Sequence, residues 1–156
     1  MINNSLKTIR EEISHLSKNE LEEICIQLAK FKKENKEFLS YILFDINNEE
    51  NFASQLEIEL QSLFSEVNIK SAYYAKKQIR KIIKTAARYL KYTKVKETHV
   101  RLYIYILKEF KALNISYSAN SALQKIEINL KNKICNLIEG LHEDLQYDYK
   151  QLFKDL

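Results

Sequence analysis

Proline is absent from the 156 residues of this chain, and glycine occurs once, at position 140. Tight β-turns and hairpins depend on these two residues, because proline presets one backbone angle and glycine reaches conformations that other residues avoid. The chain therefore lacks the usual means of connecting several β-strands. We predict an all-α fold in which residues 1–156 form a single domain of about seven or eight antiparallel helices, arranged as a bundle or a short array of stacked helix pairs.

Capping signals mark the starts of several helices. Ser5 can cap a first helix, and Ser17 with Glu20 has the spacing of a capping box, in which each side chain binds the backbone N–H of the other residue. Asn47–Glu50 supplies a turn and a cap for a fourth helix, and Thr98 can cap a sixth.

Apolar periodicity sets one helix apart from the others. Leu102–Leu107 is apolar nearly all round and continues into Lys108–Leu113 without a turn signal, so we predict a helix that is buried on most sides. The next helix carries a regular apolar stripe from Ala119 to Leu141, and Gly140 is placed to act as its C-cap.

Charge is unevenly distributed along the chain. Lys70–Lys96 contains ten basic residues and no acid, whereas the rest of the chain has 25 − 10 = 15 basic residues against 21 acids. On a wheel of ~100° per residue, the cations lie opposite a face of isoleucine, leucine and alanine. Because no acid stands three or four positions from the cations between Lys76 and Lys91, packing of the apolar face must hold this helix. We predict that its polar face binds a polyanion, through Tyr73, Lys77, Arg80, Lys81, Lys84, Arg88 and Lys91.

This basic face leads to a hypothesis about function, with alternatives left open. We favour a non-enzymatic helical interaction module that holds an acidic partner, either an acidic protein or a nucleic acid whose bases stack on tyrosines. The face could instead be an ordinary solvated surface. A further alternative is a homo-oligomeric structural protein whose basic helix pairs with its own acidic C-terminal helix, through Glu143, Asp144 and Asp148. The last alternative is an enzyme of unrecognised class with a cleft site. Such an enzyme would need a lysine, for example Lys84, in a closed pocket.

Signatures of catalysis and of metal or cofactor binding are missing from the sequence. Without glycine-rich segments, the chain has neither phosphate-cradling loops nor nucleophile elbows. Two Glu-x-x-His pairs, Glu12/His15 and Glu139/His142, have a metal-like spacing, but the helical wheel turns both toward solvent. We predict no catalytic residue, no metal site and no cofactor.

The cysteines and the terminal segment bear on localisation. Cys25 and Cys135 are too few for the disulfide framework of a secreted domain, and we expect Cys25 to be a buried free thiol. Met1–Ser5 lacks the charged and apolar regions of a signal peptide. The longest unbroken apolar run, Leu102–Leu107, is far shorter than the ~20 residues that span a bilayer. We expect a cytoplasmic protein without a membrane partner.

Three segments of the chain have a recognisable pattern: His15–Leu21, Ser71–Ile82 and Leu141–Tyr149. Together they resemble a family of small all-helical bacterial proteins with no assigned function, and the likeness spans most of the chain. The resemblance implies a helical fold, without a cofactor or catalytic residues. It also draws attention to a pairing between the cations of the second segment and the acids of the third.

Overall fold

The computed structural model describes residues 4–117, 121–154 and 156 of the chain. Across these residues it contains eight α-helices, one π-helical segment (Tyr41–Asp45) and no β-strand, which confirms the all-α prediction. The α-helices are α1 (Leu6–Ser14), α2 (Lys18–Phe31), α3 (Lys33–Ser40), α4 (Glu49–Ser65), α5 (Ala72–Tyr89), α6 (Lys96–Ala112), α7 (Ala122–Glu139) and α8 (Glu143–Lys154).

The helices fall into two compact units, Met1–Phe44 and Asp45–Leu156. The first unit holds α1 to α3 and the second holds α4 to α8. The single-domain organisation stays a prediction. None of the helices in the described ranges is both long and apolar enough to cross a membrane.

The first unit forms its helices through local capping rather than through a large core. Ser5 Oγ accepts a hydrogen bond from the N–H of Thr8 at 3.2 Å, as predicted for a cap. The capping box is also confirmed, because Ser17 Oγ accepts from the N–H of Glu20 at 3.3 Å and Glu20 Oε2 accepts from the N–H of Ser17 at 2.8 Å. These bonds satisfy backbone donors that the first turn of a helix leaves without partners.

Burial in the first unit is slight, and one prediction fails there. Cys25 is exposed, so the expectation of a buried thiol is wrong. The physical reason is the length of the helices: α1, α2 and α3 have 9, 14 and 8 residues, and none of them contains a buried residue. An apolar stripe on such short helices predicts which face is apolar, but it does not guarantee that this face is buried against another element.

The second unit is built around α6, which packs against α4, α5 and α7. The prediction that α6 is buried on most sides is confirmed, since seven of its apolar residues are at most 6% exposed. Each such side chain contributes about 1.5–3 kcal/mol by leaving water. The buried apolar residues of α6 are Val100, Leu102, Tyr103, Ile104, Ile106, Leu107 and Phe110.

The start of α6 differs from the prediction. The helix begins at Lys96, and Val95 at its N-cap provides no side-chain hydrogen bond. Thr98 is therefore not a cap: it lies inside the first turn, 5% exposed, and its hydroxyl donates to Glu49 Oε2 at 2.8 Å. A buried hydroxyl needs a partner, and the carboxylate supplies one that the linear sequence does not reveal.

The end of α7 follows the prediction more closely. Gly140 is the C-cap, but its φ of −86° is right-handed, so the freedom peculiar to glycine is not used. Its carbonyl instead accepts a hydrogen bond from Lys96 Nζ at 2.9 Å. Ala119, the predicted start of the apolar stripe, lies outside the described residues. The buried residues of α7 are Leu123, Ile126, Leu130, Ile134 and Ile138.

Candidate polyanion-binding surface

An apolar stripe and one glutamine fix α5 in the second unit. The helix packs against α4, α6 and α7. Gln78 Nε2 donates to the carbonyl of Glu66 at 3.0 Å, and Gln78 Oε1 accepts from the N–H of Asn68 at 2.9 Å. These two bonds tie α5 to the segment that connects it with α4, so the polar face of α5 is turned outward. The stripe consists of Ala75, Ile79, Ile82 and Ala86, each at most 2% exposed.

The polar face of α5 carries the predicted cations, here named the basic row. All but Arg88 are exposed, and Arg88 is half-buried. Lys91 lies in the turn that follows the end of α5 at Tyr89. At a rise of 1.5 Å per residue, the part of the row that lies within the helix is about 17 Å long. The basic row consists of Lys77, Arg80, Lys81, Lys84, Arg88 and Lys91.

The exposed cations of this row have no carboxylate partner. In residues 4–117, 121–154 and 156, no Asp or Glu oxygen lies within 4.0 Å of the side-chain nitrogen atoms of its five exposed members. Like charges therefore stand three or four residues apart along α5 without compensation, which destabilises a helix. The outward face of α5 is therefore a surface of uncompensated positive charge in the described part of the chain.

The acids of α8 do not fill this gap within the described chain. Glu143, Asp144 and Asp148 are exposed and make no ion pair with α5 there. Asp144 Oδ2 lies instead 3.3 Å from Nδ1 of His142, its near neighbour. The helix α8 packs against α7. Among the residues that the structure describes, the intrachain pairing suggested by the family resemblance is thus not formed.

Arg88 and Tyr73, near opposite ends of α5, differ in their environments. The Arg88 guanidinium lies 4.8 Å from the ring centre of Tyr89, whose hydroxyl donates to Glu59 Oε1 at 3.3 Å, so Arg88 belongs partly to the fold. Tyr73 is 64% exposed and meets Tyr74 edge to face, with ring centres 5.4 Å apart. One aromatic side chain of the predicted set is therefore open to a partner.

A groove between α5 and α7 extends the basic surface beyond the predicted residues. Its volume is about 320 Å³, and it includes three cations, four apolar or aromatic side chains and no acid. Lys133 Nζ lies 5.5 Å from the ring centre of Tyr103, and burial raises the pKa of the Tyr103 hydroxyl. The residues that line the groove are Arg80, Ile83, Tyr103, Lys125, Ile126, Asn129, Leu130 and Lys133.

Sequence reasoning missed the α7 side of this groove, although a signal was present. Lys125, Asn129 and Lys133 follow one another at four-residue intervals, so they share one face of α7. They border the buried residues Ile126 and Leu130. What the sequence does not specify is that α5 is the helix packed beside this face.

A second polar cluster of the Asp45–Leu156 unit is built around Arg101. Its guanidinium donates to both carboxylate oxygens of Glu57, at 2.7 and 3.2 Å, and to Glu50 Oε2 at 2.6 Å. These bonds lower the pKa of Glu50. Such a bidentate pair joins α6 to α4 with fixed geometry. The cluster therefore links core helices.

A cavity of about 160 Å³ adjoins this cluster, and three of the eight residues that line it are glutamates. Tyr149 closes one side, and its hydroxyl donates to Glu97 Oε1 at 3.0 Å. Burial and this carboxylate together raise the pKa of Tyr149 to about 12. Glu49 accepts from Thr93 and Thr98, both at 2.8 Å. The carboxylates are thus engaged by neighbouring donors of the fold.

The two Glu-x-x-His pairs face solvent, as the sequence predicted. Glu12, His15, Glu139 and His142 are all exposed. Among the residues that the structure describes, no group of three or more His, Cys, Asp or Glu side chains is arranged to hold a metal ion. Cys135 is exposed, as Cys25 is.

Comparisons with family models, curated proteins and solved structures found no match for this chain. The resemblance to a family of small all-helical bacterial proteins stays a prediction. The geometry and charge of the basic row and its groove are therefore the features that point to a function.

Proposed function

We propose that this protein is a non-enzymatic helical interaction module that binds an acidic macromolecule through the basic row of α5. The supporting observation is that four exposed cations on one face of α5, together with Lys91 in the turn that follows it, have no carboxylate partner in the described part of the chain. Such a row does not stabilise the fold, because like charges at these spacings repel each other. A polyanion would relieve the repulsion and release its own counterions on binding.

An enzymatic role finds less support. Lys84, the lysine considered for a cleft site, is exposed on α5 and lines neither the groove nor the carboxylate-lined cavity. Catalytic lysines need partial burial to become nucleophiles or bases near neutral pH.

Fluorescence anisotropy with two acidic probes tests the proposal: poly-glutamate and a labelled twelve-nucleotide single strand. With five contacts, the logarithm of the association constant should fall with the logarithm of salt concentration at a slope of about −3.5 for the single strand. The double variant Lys81→Gln/Lys84→Gln should weaken binding to either probe and reduce the slope on the single strand to about −2.1.

Lys108→Gln/Lys150→Gln is the matched control, because both lysines are exposed and lie on α6 and α8 rather than on α5. This control removes the same charge and should leave affinity within about twofold, since net charge alone acts weakly at a distance in salt. Equal losses in the two double variants would contradict a localised surface. No binding of either probe at low salt would contradict the proposed function itself.

A homo-oligomer is the second candidate, favoured by the exposed acids of α8. Since Glu143, Asp144 and Asp148 make no ion pair with α5 inside the described chain, they are available to the basic row of another copy. Sedimentation velocity at low and high salt distinguishes the two candidates. Salt-sensitive self-association would support the homo-oligomer, whereas a monomer at low salt would exclude it.

A further inference from the structure

We infer that the groove between α5 and α7 holds one unpaired base, and that the partner of the basic row is a single-stranded nucleic acid. This inference depends on the proposed function and specifies the class of partner.

The chemistry of the groove matches a base flanked by phosphates. Apolar and aromatic side chains, including Ile83 and Tyr103, form its interior, while Arg80, Lys125 and Lys133 bring positive charge to it. A nucleobase is a flat group with little charge, attached on both sides to anionic phosphates. Single strands are typically held in this way, with bases against apolar or aromatic surfaces and the backbone along cations.

The dimensions of the groove argue against an acidic helix as its occupant. Its α5 side, Arg80–Ile83, is one helical turn long, or about 4.5 Å, and its α7 side, Lys125–Lys133, is about 12 Å long. An amphipathic helix docks through anchors at positions i, i+3, i+4 and i+7, which need a longer apolar channel. A volume of about 320 Å³ suits one compact group instead.

Tyr73 offers a second contact for the same strand. It lies seven residues before Arg80 and therefore on the same side of α5, about 10.5 Å along the helix axis. Lys76 Nζ lies 5.1 Å from its ring centre, so cation and aromatic ring are combined at this end of the row. A strand that follows the row would meet an exposed ring at one end and the groove further along.

The test compares strands that differ only in their bases. Wild-type protein is titrated with a thymidine twelve-mer and with an abasic twelve-mer that has the same number of phosphates. If bases are bound, the thymidine strand should bind about fivefold to a hundredfold more tightly, the range expected for one stacked base. Poly-glutamate is titrated in parallel as a polyanion without bases.

Two matched substitutions show whether the part of the affinity that depends on bases comes from the groove. Ile83→Asn places a polar group in the groove, whereas Ile128→Asn makes the same change on α7 at an exposed residue outside it. We expect the first to reduce the ratio of thymidine to abasic affinity at least threefold, and the second to leave it unchanged. If the first variant fails to fold, a wild-type crosslink to 5-iododeoxyuridine gives the answer, since it should map to groove residues.

Each outcome has a separate meaning. Equal affinity for the two strands, or crosslinks confined to Tyr73 and Tyr74, would overturn the base-binding groove and leave the proposed function standing. Binding of poly-glutamate without binding of either strand would make the partner an acidic protein. If none of the three probes binds at low salt, the proposed function is refuted as well.

Discussion

Replacing one lysine of the basic row should make the protein more stable while it weakens binding. Lys84 has cations at three neighbouring helical positions: Arg80 four residues before it, Lys81 three before it and Arg88 four after it. In the described chain, no Asp or Glu oxygen lies within 4.0 Å of Lys84 Nζ itself. In Lys84→Gln these repulsions vanish, and helix propensity hardly changes because lysine and glutamine are nearly equal helix formers.

The size of the gain follows from the number of pairs. Three like-charge pairs at about 0.2–0.5 kcal/mol each give a stabilisation of about 0.6–1.5 kcal/mol at low salt. Lys108→Gln on α6 serves as the control, because its only cationic neighbour at these spacings is Lys111. One pair predicts at most a third of the effect.

Urea unfolding monitored by circular dichroism measures both variants at low and high salt. The midpoint for Lys84→Gln should rise with an unchanged slope, and added salt should shrink the difference because exposed charges are screened. A neutral or destabilising result at low salt would refute the reasoning, since it would mean that these cations are compensated within the fold. An equal gain in the control would show that net charge, rather than the row, is responsible.

Three further predictions concern other contacts of the structure. Arg101→Lys keeps the charge but loses the fork that holds Glu57, so unfolding by urea should show a loss of about 1.5 kcal/mol. Tyr117 donates to Glu127 at 2.5 Å, and burial with this carboxylate raises its pKa from 10.0 to about 12. Because the raised pKa disfavours the ionised form of Tyr117, the stabilisation that its hydroxyl gives the fold is complete below pH 10 and is lost as the pH rises toward 12. Tyr117→Phe should therefore remove this part of the loss of stability at alkaline pH. Both thiols should react with a disulfide reagent in the native protein, since Cys25 and Cys135 are exposed, and protection of either until unfolding would contradict this.

Local signals in the sequence predict the helices well. The capping box of Ser17 and Glu20 and the nearly all-apolar centre of α6 depend on neighbours close in the chain, so they could be read without a fold. Asn48 likewise caps α4 within the predicted turn, accepting from the N–H of Asn51 at 3.1 Å. The failures at Cys25 and Thr98 have another origin, because burial and hydroxyl partners depend on which helices meet.

The candidate site divides in the same way. The basic row could be predicted because its cations and its apolar stripe belong to one helix with a fixed angular spacing. The groove could not, because it exists only where α5 and α7 pack side by side and bring Arg80 close to Lys125 and Lys133. Hence the sequence predicted a positive surface, whereas the groove on that surface could be identified only from the structure.

Whether a nucleic acid strand binds along α5 and its groove can be determined by titrating isotope-labelled protein with the thymidine twelve-mer and recording two-dimensional NMR spectra of the backbone amides. The largest changes in chemical shift should cluster on the outward face of α5 and on the neighbouring edge of α7, around Lys81 and Lys133. Changes spread evenly over the lysines of α6 and α8, or no change at low salt, would contradict this expectation.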